Sequence, residues 1–240
     1  MLGMKKTIVL HSIRAHFLGQ AKLVTAMLKK RANSCQNIDD RVKLAFGFLT
    51  SFPFKQFRWS IQPAQVKDEI TSCLKILAKR RPKNILEIGT AWGGTLFLFA
   101  KVASPQAKIV SVDIPGGYPK WRVNLYQSFG VPEQKICLIR EDSHLLSTLG
   151  MVETALEGCK LDFLFIDGDH TYDGVRKDFE MYCKLVRKGG LIALHDICLH
   201  PPETGCEVNK FWTEIRNLYK HDELIRDNKQ GCCGIGILYV

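Results

Sequence analysis

Two acidic side chains and a histidine follow one apolar run of this sequence within four positions. The segment FLFIDGDH, residues 163–170, places Asp167, Asp169 and His170 directly after residues typical of a buried strand. Charged groups at such a point are costly unless they are paired, bound to a metal or hydrated. The segment is therefore either an ordinary turn or part of an active site, where the imidazole could move a proton.

A second pair of chemically active residues ends another apolar run. His195 and Asp196 close the segment LIALHD, 28 and 29 positions after Asp167. Adjacent parallel strands lie about 4.8 Å apart, so the ends of two such strands can converge on one point. The alternative is a hydrogen-bonded structural pair of histidine and aspartate.

A glycine-rich segment follows the strand-like run NILEIG. Glycines at this place let the backbone turn sharply and approach a ligand, with the N–H groups of a following helix behind them. The spacing is not GxGxxG, which argues against a dinucleotide site and an NAD-dependent oxidoreductase. A tight turn without a ligand is the alternative. The candidate residues are Glu87, Gly89, Trp92, Gly93 and Gly94.

Two further strand-like runs also end in acidic residues. KIVSVD ends at Asp113, where a carboxylate commonly accepts both hydroxyls of a ribose. KICLIR is followed by Asp142 and Ser143, which could bind an adenine amino group and cap the next helix, respectively. Asp142 could instead be only a helix cap.

Strand-like and helix-like runs alternate from residue 84 to the end of the chain, with one helix expected near residues 118–129. Another is expected over YDGVRKDFEMYCKLVRKGG, where Thr171 could cap its start and Gly189 its end. Continuous apolar strands in such an order predict an α/β fold, a Rossmann-like, doubly wound and mostly parallel sheet of seven strands. Ligands bind such sheets at the carboxyl ends of the strands. The fold would therefore bring together all the candidate residues named above.

The basic residues of the chain are concentrated at its beginning. The formal net charge is +10, and residues 1–60 carry 11 Lys and Arg against two Asp, a net charge of +9. We predict a basic helical extension over residues 1–62 and the α/β domain over residues 63–240. Within the extension, helical spacing places Phe17, Ala21, Val24 and Leu28 on one stripe. The extension could bind nucleic acid, anionic lipid or a second subunit, or be only a solvated surface.

No apolar run approaches the roughly 20 residues of a membrane span. The nine cysteines are scattered and no export signal is apparent, which predicts a cytoplasmic protein with reduced thiols. The segment HDICLHPPETGC contains two histidines and two cysteines, but their spacing matches no common zinc pattern. A loop over an acceptor pocket, with His200 and Glu203 touching substrate, is the preferred interpretation.

The combination ExGxxxGG, an acidic end to the second strand and Asp-Ser after the third resembles the S-adenosylmethionine site of class I methyltransferases. The run FIDGDHTYDGVRKDFEMYCKLVRKGGLIALHDI resembles the family of cephalosporin-hydroxylase-like proteins and macrolide sugar O-methyltransferases. The resemblance implies S-adenosylmethionine as cofactor. Its expected contacts are Glu87, Gly89, Trp92, Gly93, Gly94, Asp113, Asp142 and Ser143.

The same resemblance implies a divalent metal held by Asp167, His195 and Asp196, with His170 as general base. Relatives carry a carboxylate where this chain has His195, so either the ion is softer than Mg²⁺, such as Mn²⁺, or His195 contacts substrate. The expected reaction is metal-assisted O-methylation of a hydroxyl on a sugar or other small polar molecule.

Two other functions stay open at this point. The chain could be a non-catalytic binding module that uses its basic N-terminal segment, or an iron-dependent hydroxylase-like enzyme. In the methyltransferase reading nucleic acid is not the expected partner, and the N-terminal helices could form a homo-oligomer.

Overall fold

The computed structural model describes residues 19–51, 58–227 and 229–240. Within these ranges the chain forms eight α-helices and nine strands. The helices are α1 (19–33), α2 (Ile38–Gly47), α3 (Lys67–Arg80), α4 (Gly94–Val102), α5 (Val123–Gln127), α6 (Leu146–Leu156), α7 (Tyr172–Tyr182) and α8 (Val208–Ile215). The strands are β1 (Leu49–Ser51), β2 (Arg58–Ser60), β3 (Asn84–Ile88), β4 (Lys108–Val112), β5 (Lys135–Ile139), β6 (Leu161–Ile166), β7 (Val186–His195), β8 (Lys220–Leu224) and β9 (Ile235–Tyr239).

Seven strands form one sheet in the order β5-β4-β3-β6-β7-β9-β8. The first five of these run parallel, and β9 runs antiparallel to both of its neighbours. Ile88 pairs with both Val112 and Ile166, and Ile166 pairs with Leu194. The carboxyl ends of these four strands therefore lie level with one another. The predicted seven-stranded, mostly parallel sheet is confirmed.

The two faces of the sheet are buried in two hydrophobic clusters. Ile85 and Phe163 point to the cluster that contains helices α3 and α4, whereas Leu86 and Leu164 point to the cluster that contains α6, α7 and α8. Successive residues of a strand point to opposite faces, so a strand covered on both sides is apolar at every position. This is why the central strands read as unbroken apolar runs.

The described part of the predicted N-terminal extension packs onto the first face of the sheet. Val24, Leu28 and Val42 are buried in the same cluster as helix α4, and α1 confirms the predicted helix over its described residues. Phe17, the first member of the predicted stripe, lies outside them. The antiparallel pair of β1 and β2 was not predicted, because strands of three residues give too short a pattern. The division of the chain at residue 62 stays a prediction.

Several helix ends differ from the sequence expectation. The helix expected near residues 118–129 is reduced to a 3₁₀ turn, Lys120–Arg122, followed by α5. Helix α7 begins at the Thr171 cap as predicted but ends at Tyr182, and Gly189 lies in β7 with φ of +78°. Helix α6 follows Leu145 without a side-chain cap, so Ser143 does not cap it.

Candidate functional site

A cavity of ≈ 520 Å³ opens at the carboxyl ends of β3, β4 and β6. It lies on the edge of the sheet where ligands of open parallel sheets bind. Of the twelve residues predicted for cofactor, metal and catalytic roles, six line it and six do not. The lining set is Gly89, Asp113, Asp142, Ser143, Asp167 and His170.

The glycines after β3 are needed mainly for packing of the backbone. Gly89 has φ of +95°, and a Cβ built there would lie 1.9 Å from the carbonyl oxygen of Asp167. A Cβ on Gly94 would lie 2.3 Å from the carbonyl oxygen of Ile61. Only glycine fits such contacts, so the segment packs tightly between β6 and the chain before α3. Gly94 and its neighbour Gly93 support the start of α4 and do not line the cavity.

Asp113 holds the loop after β3 in place. Its Oδ2 accepts hydrogen bonds from the backbone N–H groups of Thr90 at 3.1 Å and Ala91 at 2.7 Å. Burial raises the pKa of this carboxyl group, against the lowering effect of those N–H groups. A Cβ at Gly117 would lie 1.9 Å from Oδ1, so glycine keeps that second oxygen free of a side chain. Asp113 can therefore fix the loop and accept from a ligand with different oxygens.

Glu87 lies behind the cavity wall. Its side chain is fully buried, and its two carboxyl oxygens accept hydrogen bonds from Thr95 and Ser111, each at 2.5 Å. Burial raises the pKa of this carboxyl group to about 8. Glu87 therefore ties α4 and β4 together in this conformation, and its predicted contact with a cofactor stays a prediction.

Trp92 belongs to a neighbouring space. Its side chain is 56% exposed, and the Arg122 guanidinium lies 4.7 Å from the centroid of its ring. Together with Phe46 and Phe48 it lines a second cavity of ≈ 630 Å³. Ala64 lines both cavities, so the two spaces adjoin there.

His144 was not predicted as a site residue, yet it lines the first cavity. Its backbone N–H donates to Asp142 Oδ1 at 2.8 Å, and its Nε2 lies 3.4 Å from an oxygen of the buried Asp178. Burial raises the pKa of Asp178 to about 6. The contact between His144 and Asp178 could not be predicted from the sequence. Asp178 lies in helix α7, more than 30 positions after His144, and nothing in its local sequence shows that it faces the earlier loop.

Two aspartates and two histidines meet at the ends of β6 and β7. His195 Nδ1 lies 3.1 Å from Asp167 Oδ1 and 3.3 Å from Asp196 Oδ2. His170 lies between the same carboxylates, with Nε2 3.3 Å from Asp167 Oδ1 and Nδ1 3.3 Å from Asp196 Oδ2. The structure thus brings together all four residues predicted for the catalytic and metal roles.

The charges of this cluster stabilise one another. Burial by itself raises the pKa of Asp167, but His195 and His170 outweigh it and hold that pKa at about 2. Burial likewise opposes the charge of His195, yet Asp167 and Asp196 hold the pKa of the imidazole well above its usual value. The hydrogen bond with Asp167 raises the pKa of His170. Both carboxylates are therefore ionised and available as ligands or hydrogen-bond acceptors.

The spacing of these atoms suits a divalent cation. Ligand atoms at about 2.1 Å from an ion, and at right angles around it, lie about 3.0 Å apart. The observed separations from His195 Nδ1 to Asp167 Oδ1 and Asp196 Oδ2, 3.1 and 3.3 Å, are close to that value. The residues present therefore fit the ion that the sequence predicts. Gln65, whose Nε2 donates to Asp167 Oδ2 at 2.6 Å, was not predicted as a site residue.

The remaining predicted residues take supporting positions. Asp169 accepts from the N–H of Thr171 at 2.9 Å and so forms the turn into α7, although it also borders the cavity. His200 is only 10% exposed, and its Nε2 lies 3.2 Å from Asp196 Oδ1. Glu203 lies exposed in the 3₁₀ turn Pro202–Thr204. The substrate contacts predicted for His200 and Glu203 stay predictions.

The profile of a family described as a methyltransferase domain matches residues 86–197. This segment runs from the middle of β3 to just beyond β7 and contains both aspartates and both histidines of the cluster. The central segment of the chain therefore matches a methyltransferase domain. The resemblance predicted from the sequence is therefore confirmed at the level of this family.

Solved structures share the fold of this methyltransferase domain. The O-methyltransferase TomG from Streptomyces achromogenes, in complex with SAM, superposes with a TM-score of 0.56 at 16% identity, covering 86% of this chain and 91% of TomG. CalS11, a TDP-rhamnose 3′-O-methyltransferase of calicheamicin biosynthesis, gives a TM-score of 0.53 at 16% identity, covering 84% and 92%. At these identities the similarity concerns the fold alone.

A curated relative has a higher sequence identity over a shorter length of the chain. "Probable caffeoyl-CoA O-methyltransferase 1" of Dictyostelium discoideum is 28% identical over 151 residues, 61% of this chain and 62% of the relative. The chain spans 60–62% of the length of three curated relatives that it matches. Across the described residues no helix is both long and apolar enough to cross a membrane.

Proposed function

We propose that this protein is an S-adenosylmethionine-dependent O-methyltransferase that methylates a hydroxyl of a sugar or another small polar molecule with the help of a divalent metal. The observation that carries the proposal is the cavity at the strand ends, whose floor is the Asp167–His170 pair. The fold, the family match and the O-methyltransferase neighbours support it.

The cofactor would lie in the cavity at the ends of β3, β4 and β6. S-adenosylmethionine supplies an electrophilic methyl group on a sulfonium. Asp113 Oδ1 would accept from ribose hydroxyls, while Asp142 and His144 border the part of the cavity next to β5. Asp167, at the end of β6, would face the sulfonium side and favour its positive charge.

His170 would accept the proton of the acceptor hydroxyl. Its side chain is 43% exposed, so a substrate can reach the ring. Because each ring nitrogen lies 3.3 Å from a carboxylate, the acceptor hydroxyl would take the place of one carboxylate at a nitrogen that carries no proton, while the other holds the ring in position. Removing this proton as the methyl group transfers makes the oxygen a better nucleophile. The two carboxylates favour the imidazolium that results, because opposite charges stabilise it.

Asp167, His195 and Asp196 would hold the divalent ion. When bound there, such an ion would supply Lewis-acid chemistry that makes the acceptor hydroxyl more acidic. The protein's own contribution is to place the acceptor hydroxyl next to His170 and in line with the methyl group.

Two measurements test the proposed function. Mass spectrometry of the purified protein is expected to detect retained S-adenosylmethionine or its demethylated product. His170→Ala is expected to reduce methyl transfer to a panel of hydroxylated sugars and phenols by about 10²–10⁴-fold, with little change in the affinity for S-adenosylmethionine.

His221→Ala is the matched control, since His221 lies on the outer strand β8, where its ring donates to the Tyr219 carbonyl and contacts the ring of Trp212. Full activity is expected in that variant. Unchanged turnover in His170→Ala would remove His170 from the mechanism. Failure of the wild-type protein to bind S-adenosylmethionine would overturn the proposed function itself.

A further inference from the structure

A cysteine from the loop before β9 adds a thiol to the histidine–aspartate pair that ends β7. One potential ligand atom from each of His195, Asp196 and Cys233 lies within 4.8 Å of the other two. The N–H of Cys233 donates to Asp196 Oδ1 at 3.1 Å, which fixes the loop against the pair. An imidazole, a carboxylate and a thiol therefore meet in one place.

The ring of His195 has one nitrogen with a partner and one without. Nδ1 lies 3.1 Å from Asp167 Oδ1, whereas Nε2 is buried and has no hydrogen-bond partner within the described chain. The side chain of His195 is only 4% exposed, so water does not readily satisfy that nitrogen. Histidines that bind metals through one ring nitrogen usually bond a carboxylate or carbonyl through the other.

We propose that His195 Nε2, Asp196 and Cys233 bind a zinc ion, with Asp167 orienting the imidazole. Zn²⁺ takes thiolate at about 2.3 Å and imidazole at about 2.0–2.1 Å, so its ligand atoms lie about 3.3–3.8 Å apart. One potential ligand atom from each of the three residues already lies within 4.8 Å of the other two. His200 Nε2 lies 3.2 Å from Asp196 Oδ1 and accepts from the N–H of Cys233, so it is a further nitrogen beside the cluster for the fourth position.

The thiol decides which ion this site prefers. Mg²⁺ selects oxygen ligands, whereas thiolate and imidazole select zinc and similar ions. The spacing of histidines and cysteines within residues 195–206 matches no common zinc pattern. Cys233 was not considered there, because it lies 37 positions beyond Asp196 and only the fold brings it close. The zinc site therefore depends on the pairing of β9 with β7.

Zinc binding rests on the cluster alone, whereas its effect on catalysis rests on the methyl transfer proposed above. His195 and Asp196 are also proposed ligands of the divalent ion beside Asp167. The zinc site and that divalent-ion site therefore share two ligands. One ion at a time can then use them. Zinc at Cys233 is expected to oppose activation by Mg²⁺.

The test uses the full chain, freed of metal by chelation and kept reduced with a phosphine. Co²⁺ serves as the spectroscopic probe for zinc, because thiolate bound to Co²⁺ gives an intense charge-transfer band in the near ultraviolet. The wild-type protein is expected to show this band, and stoichiometric Zn²⁺ is expected to abolish it while excess Mg²⁺ is not.

Two adjacent cysteines provide matched variants. Cys233→Ser is expected to lose the band and to bind zinc at least about tenfold more weakly, whereas Cys232→Ser, at the exposed neighbouring thiol, keeps both properties. His195→Asn is expected to weaken zinc binding in the same way. Circular dichroism confirms that each variant is folded.

A wild-type spectrum without the band would overturn the proposal whether or not any variant folds. A band retained in Cys233→Ser would do so too. Calorimetric titration with S-adenosylmethionine separates the two proposals: binding of that cofactor without the cobalt band rejects the zinc site alone, and the band without cofactor binding rejects the methyltransferase function alone.

Discussion

Glu87 makes the stability of this protein depend on pH in a direction unusual for an acid. Its carboxyl group is fully buried, and burial raises its pKa from 4.5 to about 8. The native state therefore holds a proton that the unfolded chain has already lost at neutral pH. The stabilisation is complete below pH 4.5 and is lost as the pH rises toward 8.

The size of the effect follows from the proton difference. Between pH 5 and 8 the native state binds about one proton more than the unfolded state at this residue, so the free energy of unfolding falls by about 1.4 kcal/mol per pH unit. Over the three units this amounts to roughly 4 kcal/mol. Above pH 8 Glu87 ionises in both states and the decline ends.

Glu87→Gln removes this ionisation while keeping the size of the side chain. The amide can still bond the hydroxyls of Thr95 and Ser111, which accept as well as donate. The variant is expected to become more stable relative to the wild type by about 1.4 kcal/mol per pH unit from pH 5 to 8. Urea denaturation at four pH values across this window measures the difference.

Two further variants check the cause. Thr95→Val removes a hydrogen bond that lowers the pKa of Glu87, so its decline in stability should continue above pH 8. Glu157→Gln is expected to change the pH dependence of stability in the opposite direction. The ion pair with Lys108 lowers the pKa of Glu157, so the stabilisation from this pair is lost as the pH falls. Equal pH slopes for Glu87→Gln and the wild type would refute the reasoning.

Three other substitutions test the packing of the site. Gly89→Ala is expected to destabilise the fold by about 1–3 kcal/mol in urea denaturation, because its Cβ would overlap the carbonyl of Asp167. The control is Gly150→Ala in α6, whose Cβ would meet nothing within 4 Å and which should be neutral or stabilising. Gln65→Leu leaves Asp167 Oδ2 without its donor and is expected to cost about 1–3 kcal/mol, measured by thermal denaturation. Asp113→Ala leaves two loop N–H groups without their acceptor and is expected to weaken S-adenosylmethionine binding at least about tenfold, measured by calorimetry. Unchanged affinity would limit Asp113 to a structural role.

The sequence by itself determined the order of strands and helices and the residues that end them. Unbroken apolar runs such as LDFLFID can be satisfied only in a sheet covered on both faces, and the polar residue that ends each run must then lie at the edge of that sheet. Asp113, Asp167 and His195–Asp196 were located in this way. The local sequence also predicts that Thr171 caps helix α7, and its hydroxyl accepts from the N–H of Gly174.

Only the tertiary structure decided which side chains meet across that edge. Gln65, His144 and Cys233 come from a loop before α3, a loop after β5 and a loop before β9, and nothing in their local sequence indicates a partner. The distance between such residues depends on strand order and register, which local periodicity does not encode. Burial is decided at the same level: the side chain of Glu87 is fully buried between α4 and β4, where it bonds Thr95 and Ser111.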